Sequence, residues 1–205
     1  MAAPRKKRGY HHGDLRAALL DAALRIVEKD GPAALTLREV GRRVGVSQAA
    51  PYHHFEDKES ILAALAEEGF DALTESMEVA RAGAGKSPRA RLRACGIGYV
   101  RFAVRHPAHF TVVFAGETPH ARFPKLHAAG ERAFGVVLET VKEGQESGLL
   151  RDGPAIELAV LSWAMVHGLA MLHVKGIVDK PGGPPGTIEH LAEAAAEAIV
   201  RGLEK

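Results

Sequence analysis

Seven residues between positions 48 and 58, Gln48, Ala49, Ala50, Tyr52, His53, His54 and Lys58, combine hydrogen-bonding tips with very small neighbours. A glutamine amide can pair at two points with the edge of an adenine, and alanine methyls can approach the methyl of thymine. Tyrosine, histidine and lysine offer donors suited to phosphate oxygens, contacts that hold register rather than read sequence. Pro51 stands among them, within the first turns of a helix, where a missing amide costs little. Such chemistry needs a helix that can lie in a groove and neighbours that hold it there.

The neighbours are legible just upstream. Thr36-Leu37-Arg38-Glu39 predicts a capping box, with the threonine hydroxyl accepting an orphan amide and Glu39 reaching back to the first turn. The helix it opens runs to about Val44 and is ended by Gly45, whose backbone freedom permits a sharp turn. Ser47 is placed to cap a second short helix, Gln48 to about His54, whose exposed face carries Gln48, Ala49, Tyr52, His53 and His54. Two short helices joined by Gly45-Val46-Ser47 have the length and turn of a helix-turn-helix, whose second helix fits a major groove. Val40, Val44 and Val46 can pack the pair against a preceding helix, in which Leu15, Leu19, Ala22, Ala23, Ile26 and Val27 form one apolar stripe. Asp14 is placed to cap that helix, and Gly31-Pro32 to stop it.

Helical periodicity continues to the end of the chain. Asp57 can cap a long helix to about Arg81, with Ile61, Leu62, Leu65, Phe70, Leu73 and Met77 on its apolar face. A break at 83–88 precedes a helix from Pro88 to about Arg105, and Pro107 starts a short segment carrying Phe110, Val113 and Phe114. Further helices are expected over about Phe123 to Glu146, from Pro154, and from Thr187, with a Pro/Gly loop over 180–186. No convincing strand and no internal repeat is found, so the fold is expected to be all-α.

The charge is divided unevenly. Residues 1–54 carry ten Lys or Arg against five Asp or Glu, a net of +5, and the remainder carries a net of −3. A basic head on a slightly acidic body is what a polyanion-binding head requires. Arg5-Lys6-Lys7-Arg8 fits either a passive tail or an arm adding phosphate or minor-groove contacts. The basic opening is not followed by an apolar stretch, so no secretory signal is expected. The single cysteine, Cys95, excludes an internal disulfide framework and reads as a small buried hydrophobe in a reducing, cytoplasmic setting. The most apolar run, Leu158 to Val174, contains Ser162, His167, Gly168 and His173, and reads as a helix buried on most sides rather than a membrane span.

Two other function classes find less support. A small helical enzyme would use His106, His109 or His167 as acid–base groups, but no nucleophile motif, phosphate loop or cofactor fingerprint accompanies them. Adjacent histidines such as His53-His54 diverge by about 100° on a helix, so no metal is expected, and no cofactor. A non-specific architectural DNA binder would spread its basic charge widely, whereas here it is confined to the head. Tyr99, Phe102, Phe110, Phe114, Phe134, Trp163, Met165 and Met171 read mostly as core, some of them lining an apolar pocket, and His167 as a core histidine or a polar anchor within it. The last two helices suit a four-helix interface between two copies of the chain.

Taken together, Leu35-Thr36-Leu37-Arg38-Glu39-Val40-Gly41, Val44-Gly45-Val46-Ser47, Tyr52-His53-His54-Phe55 and Lys58-Glu59-Ser60-Ile61-Leu62 resemble the tetracycline-repressor (TetR) family, specifically over about residues 14–65. His106-Pro107 with Phe110, and Trp163 with Val166-His167-Gly168-Leu169-Ala170, look like its Trp-His-Gly subgroup of C-terminal domains. The resemblance implies a homodimer with about nine helices per subunit. A three-helix DNA-binding domain over residues 1–56 would precede a helical ligand-sensing and dimerisation domain over 57–205. It implies phosphate contacts from Tyr52, His54, Lys58 and the Thr36-Leu37 amides, and base contacts from Arg38, Gln48 and Ala49. Ser47, Ala50 and His53 belong to the same DNA-facing set. The expected effector-binding set is Tyr99, Phe102, Phe110, Phe114, Phe134, Trp163, His167 and Met171. Such proteins usually repress, and leave a palindromic operator when a small ligand enters. Pro51 departs from the family pattern, which usually has an apolar residue such as leucine there.

Overall fold

Glycine and proline punctuate the chain much as their conformational limits require. In the computed structural model, which describes residues 12–116, 120–178 and 187–205, α1 covers His12–Asp30 and stops where Gly31 takes φ 80°. After a 3-10 turn at Pro32–Ala34, α2 spans Leu37–Val44 and ends on Gly45 at φ 79°, the left-handed conformation that closes helices. The basic arm at residues 5–8 and the loop over 180–186 lie outside the described residues.

The remaining helices are α3 (Lys58–Gly83), α4 (Pro88–Arg105), α5 (Pro107–Phe114), α6 (Pro124–Glu146), α7 (Ala155–Val174) and α8 (Ile188–Leu203). Among the described residues there are eight α-helices and three short 3-10 turns, in keeping with the expected helical count of about nine, and no strand beyond one isolated bridge, Leu150 to Glu204. Asp57 caps α3 through a complete capping box: its carboxylate accepts from the Ser60 amide at 2.8 Å, and the Ser60 hydroxyl oxygen accepts from the Asp57 amide at 3.1 Å. Ser87 and Thr187 cap α4 and α8 in the same way, each accepting an amide with its side chain.

Three local expectations are corrected. Helix α1 begins at His12, so Asp14 lies inside it rather than at its cap. At α2 only half of the capping box forms. Thr36 accepts from the Glu39 amide at 3.2 Å, but the Glu39 carboxylate turns to Arg42 and Arg43 at 2.7 and 2.9 Å. Two guanidiniums outcompete one neutral amide for that carboxylate, whose pKa they hold down at about 2. The second helix of the helix-turn-helix is a 3-10 turn, Ala50–His53, and Ser47 serves it with its carbonyl, 3.1 Å from the Ala50 amide.

Helix α3 is the axis of the molecule. Its first turns pack against α1, and along its length it meets α4, α5 and α6. The closest approach is to α4 at Gly98. A Cβ there would lie 2.7 Å from the Ser76 carbonyl oxygen and 2.9 Å from the Met77 Cα, both backbone atoms of α3. The Ser76 hydroxyl donates to the Gly98 carbonyl at 2.8 Å across the same crossing. Gly69 does the like for α5, where Val113 fills the space of the absent Cβ.

Helix α7 departs from its expected burial. Leu158, Ala159, Ser162, Val166 and Ala170 are buried against α4, α6 and α8, whereas Ile156, Val160, Leu161, Met165 and Leu172 are exposed, Ile156 and Leu161 each at 56%. It is long and apolar enough to cross a membrane by length and composition, yet its buried and exposed residues fall on two opposite faces. The unsatisfied apolar face, rather than burial on most sides, is the reason for its composition. Beside it, α8 exposes the small residues Ala194, Ala198 and Gly202 next to His190, Glu193 and Arg201.

The glycine crossing yields a test. Gly98→Ala must force α3 and α4 apart and is expected to cost about 1–3 kcal/mol of unfolding free energy. Gly135→Ala in α6, where an added Cβ meets nothing within 4 Å, is expected to be neutral or stabilising by up to about 1 kcal/mol. Denaturant midpoints of the two variants check the contrast.

Candidate functional site

The turn between α2 and the 3-10 segment is built from small residues pressed together. Pro51 is buried, and its Cγ would stand 2.9 Å from a Cβ on Gly41, so glycine in α2 and proline in the turn fit one another. Leu37 and Val40 point inward with Leu19, Ile26 and Phe55. The 3-10 bonds run from the Ala50 amide to Ser47, from Tyr52 to Ala49 and from His54 to Pro51, so the absent amide of Pro51 is never needed.

What remains faces outward. Thr36, Arg38, Ser47, Gln48, Ala49, Tyr52 and His53 are exposed, and Ala50, His54 and Lys58 are partly so. Tyr52 is 50% accessible, unusual for a tyrosine with an apolar ring. The side chains of the sequence-derived set are therefore at least partly exposed, with one exception. Leu37 is 4% exposed, so only its main-chain amide is available there. The Lys58 ammonium donates to the Ala33 carbonyl at 3.2 Å, which anchors its long side chain beside the N-terminus of α2.

A contact that sequence reasoning missed binds this head to the body. Arg122, in the 3-10 turn His120–Arg122 before α6, donates to Glu56 at 3.1 Å, Asp57 at 2.7 Å and Glu59 at 2.6 Å. Partial burial raises the Asp57 pKa, but the Ser60 amide and the Arg122 guanidinium outweigh it and hold this carboxyl below its usual range. Arg16 of α1 lies 5.4 Å over the ring of Phe55 at the same junction. No sequence spacing could have paired residues some 65 positions apart.

Inside the body, α3, α4, α5, α6 and α7 enclose a cavity of about 410 Å³, within the roughly 300–1,000 Å³ range of small-molecule sites. Its walls include Tyr99, Phe114, Phe134 and Trp163 from the sequence-derived set. The sequence pattern assigns Phe70, Leu73 and Met77 only to the apolar face of α3 and does not single out His127, Glu131 or Val137 of α6, yet all of these also line it. Periodicity marks an apolar face without showing where that face leaves a gap. Phe102 and Phe110 are fully buried in the core, and neither they nor His167 and Met171 line the cavity.

His167 nevertheless acts on the cavity through Tyr99. The Trp163 indole N–H donates to the Tyr99 hydroxyl oxygen at 3.1 Å, and that hydroxyl lies 2.9 Å from Nδ1 of His167. Burial holds the His167 pKa below its usual value and raises that of Tyr99, so both are neutral near pH 7. Phe114 closes the cluster, 4.5 Å between ring centres from His167 and 6.4 Å from Trp163. Cys95, 2% exposed, has its thiol pKa pushed by burial to about 11 and is chemically quiet. His106 and His109 are 6.0 Å apart, but His106 stacks on Phe102 and His109 lies 3.9 Å from Glu68, and neither lines the cavity.

Comparison with known proteins agrees with this layout. Residues 19–65 match the family of bacterial regulatory proteins, tetR family, and residues 92–199 match the family described as tetracyclin repressor-like, C-terminal domain. The HTH-type transcriptional regulator BetI of Rhizobium meliloti (strain 1021) is 39% identical over 79 residues, 38% of either protein, so the likeness spans well under half of that relative. A solved protein of unknown function from Rhodococcus sp. RHA1 is 35% identical and covers 97% of this chain and 100% of its own, with a TM-score of 0.83. The TetR family transcriptional regulator PfmR of Thermus thermophilus shares the fold at 22% identity and a TM-score of 0.71, over 91% of this chain and 99% of its own. With a head and a body that each match the corresponding part of one family, the chain belongs to the tetracycline-repressor family of bacterial regulatory proteins.

Proposed function

We propose that the chain is a DNA-binding transcription regulator, a repressor that leaves a palindromic operator when a small apolar or amphipathic ligand enters the cavity. The observation that carries this reading is the surface of the α2 turn, where Leu35, Leu37 and Val40 are buried while Arg38, Gln48, Ala49 and Tyr52 stay exposed. In it, residues 1–56 bind DNA and residues 57–205 sense ligand and dimerise. Gln48 and Arg38 read bases beside the small Ala49 and Ala50. Tyr52, His54, Lys58 and the main-chain amides at Thr36-Leu37 hold phosphates, with Ser47 and His53 at the margin of the contact. Its place of work is then the cytoplasm, with the DNA, and an enzymatic role is not needed to account for any feature of the cavity.

The exposed apolar face of α7 and the small-residue face of α8 support a four-helix interface with a second copy. Two-fold symmetry would set two recognition turns about 34–36 Å apart, one turn of duplex. A ligand can shift such a dimer only by binding one arrangement of the heads more tightly than the other. The Arg122 clamp offers the route, because the turn that carries it leads directly into α6, and α6 forms one wall of the cavity.

Selection of bound duplexes from a random library near physiological salt tests the reading: a palindrome with major-groove half-site spacing is expected, and enrichment of nothing would remove specific DNA binding. On the recovered site, Tyr52→Ala is expected to weaken binding to all sequences alike. Gln48→Ala is expected to relax preference at one position per half-site by about 1–3 kcal/mol. Binding titrations on duplexes varied at single positions check both.

Arg122→Ala is expected to speed amide hydrogen exchange across residues 50–60 while leaving the interior of α4 unchanged. Equal exchange in variant and parent would show that the clamp holds nothing.

A further inference from the structure

The cavity has a chemical polarity that constrains its occupant. Resting on the reading above of this cavity as the effector site, we propose that it takes a lipophilic amine: an apolar body seated among the aromatic walls, with a cationic head at the Glu131 carboxylate. Three independent features of the lining support this.

The first is the sign of its charges. Among the described residues, neither a lysine nor an arginine lines the cavity; its charged or chargeable members are Glu131 and His127, one turn apart on α6. Their side chains are 69% and 59% accessible, which places them on the solvent side of the cavity. His127 Nε2 lies 3.5 Å from Glu131 Oε1, the carboxylate of the described lining. An anionic head would meet repulsion at that point, and an ammonium would find a charged partner. The nearby guanidinium of Arg132 is turned away to Asp71, at 2.7 Å.

The second is the bonding of Tyr99. Its oxygen already receives the Trp163 N–H, and Tyr99 is 2% exposed. If Nδ1 of His167 also donated to it, the phenolic proton would be left without a partner in a buried place, a costly arrangement. With Tyr99 donating to Nδ1, the phenolic proton is satisfied. The Trp163 and Tyr99 donors are then both used internally, and the proton of neutral His167 sits on Nε2, on a residue that does not line the cavity. A carboxylate or carbonyl group turned inward would find neither the Trp163 nor the Tyr99 donor free.

The third is the aromatic wall. Phe114 and Phe134 stand 6.4 and 6.2 Å between ring centres from Trp163, and Phe70 stands 6.2 Å from Phe114. Such rings offer an apolar seat for the body of an amphiphile, with its head left on the solvent side beside Glu131.

The chain contains a single tryptophan, and it is Trp163 in the cavity wall, so intrinsic tryptophan fluorescence reports occupancy directly. Octylamine, octan-1-ol and octanoate share one tail and differ in the head. They are titrated into the full-length protein at pH 7, at low ionic strength and below micelle formation. Octylamine is expected to bind tightest and octanoate weakest, with a gap on the order of 10-fold that narrows with added salt. Glu131→Gln, at an exposed position, is expected to keep octan-1-ol binding and to reduce the gap to roughly 2-fold. Octanoate binding as tightly as octylamine, or a gap unchanged by Glu131→Gln, overturns the amine assignment and leaves the cavity as an effector site. Silence of Trp163 towards all three overturns the cavity as an effector site for amphiphiles, and the amine assignment with it.

Discussion

The rest of the structure depends on how closely α3 can lie against α4. At Gly98 the two backbones touch, with a serine hydroxyl donating across the crossing to the glycine carbonyl. Helices normally keep about 8–10 Å between axes because side chains intervene. Where one is missing, the crossing becomes rigid and its angle is fixed by main chain. Because α3 starts under the N-terminal head and runs 26 residues into the body, that crossing sets where the head sits. It also sets the width of the cavity, whose floor is made by Phe70, Leu73 and Met77 on one side and Tyr99 on the other.

Charges then stitch together helices whose contacts are otherwise apolar. Helix α4 opens with Arg89, Arg91 and Arg93 in its N-terminal half, the end where a helix dipole disfavours cations. Each is held by a carboxylate from another helix: Arg89 by Glu197 of α8 and by Glu204 just beyond it, Arg91 by Glu143 of α6 and Arg93 by Glu193 of α8. At the lower end of α6, Arg122 gathers Glu56, Asp57 and Glu59 in the same manner. Single exposed pairs contribute little to stability, but a bidentate or three-partner guanidinium restricts orientation. The Arg122 clamp thus adds to the packing of α1 on α3 and α5, from a turn that leads into a cavity wall.

The recognition turn shows how a local departure is absorbed. Proline at position 51 cannot supply an amide to an α-helical ladder, and the segment adopts 3-10 bonding, in which the carbonyls of Ser47, Ala49 and Pro51 serve Ala50, Tyr52 and His54. The ring is not left on the surface. It is buried against Gly41, where any larger residue in α2 would collide with it. The tighter turn still leaves Gln48, Ala49 and Tyr52 exposed.

The helices are legible in the chain, because each is marked by periodicity and by a residue with restricted or permissive backbone: Gly31, Gly45, Pro88, Pro107, Asp57 and Thr187 all stand at helix boundaries. The exposed set at the helix-turn-helix is legible too, since those residues lie within one short segment whose apolar members have an evident inward face. Which aromatic residues surround space is not. Phe102, Phe110, Phe114 and Phe134 look alike in sequence, yet the first two are sealed in the core and the others face a cavity, because that depends on where five helices fail to meet. The same holds for Arg122 and for Glu131, whose partners and surroundings come from distant parts of the chain. Local propensity acts over a few residues; the gap, the clamp and the uncovered face of α7 are properties of how whole helices pack, and they exist only once the helices have met.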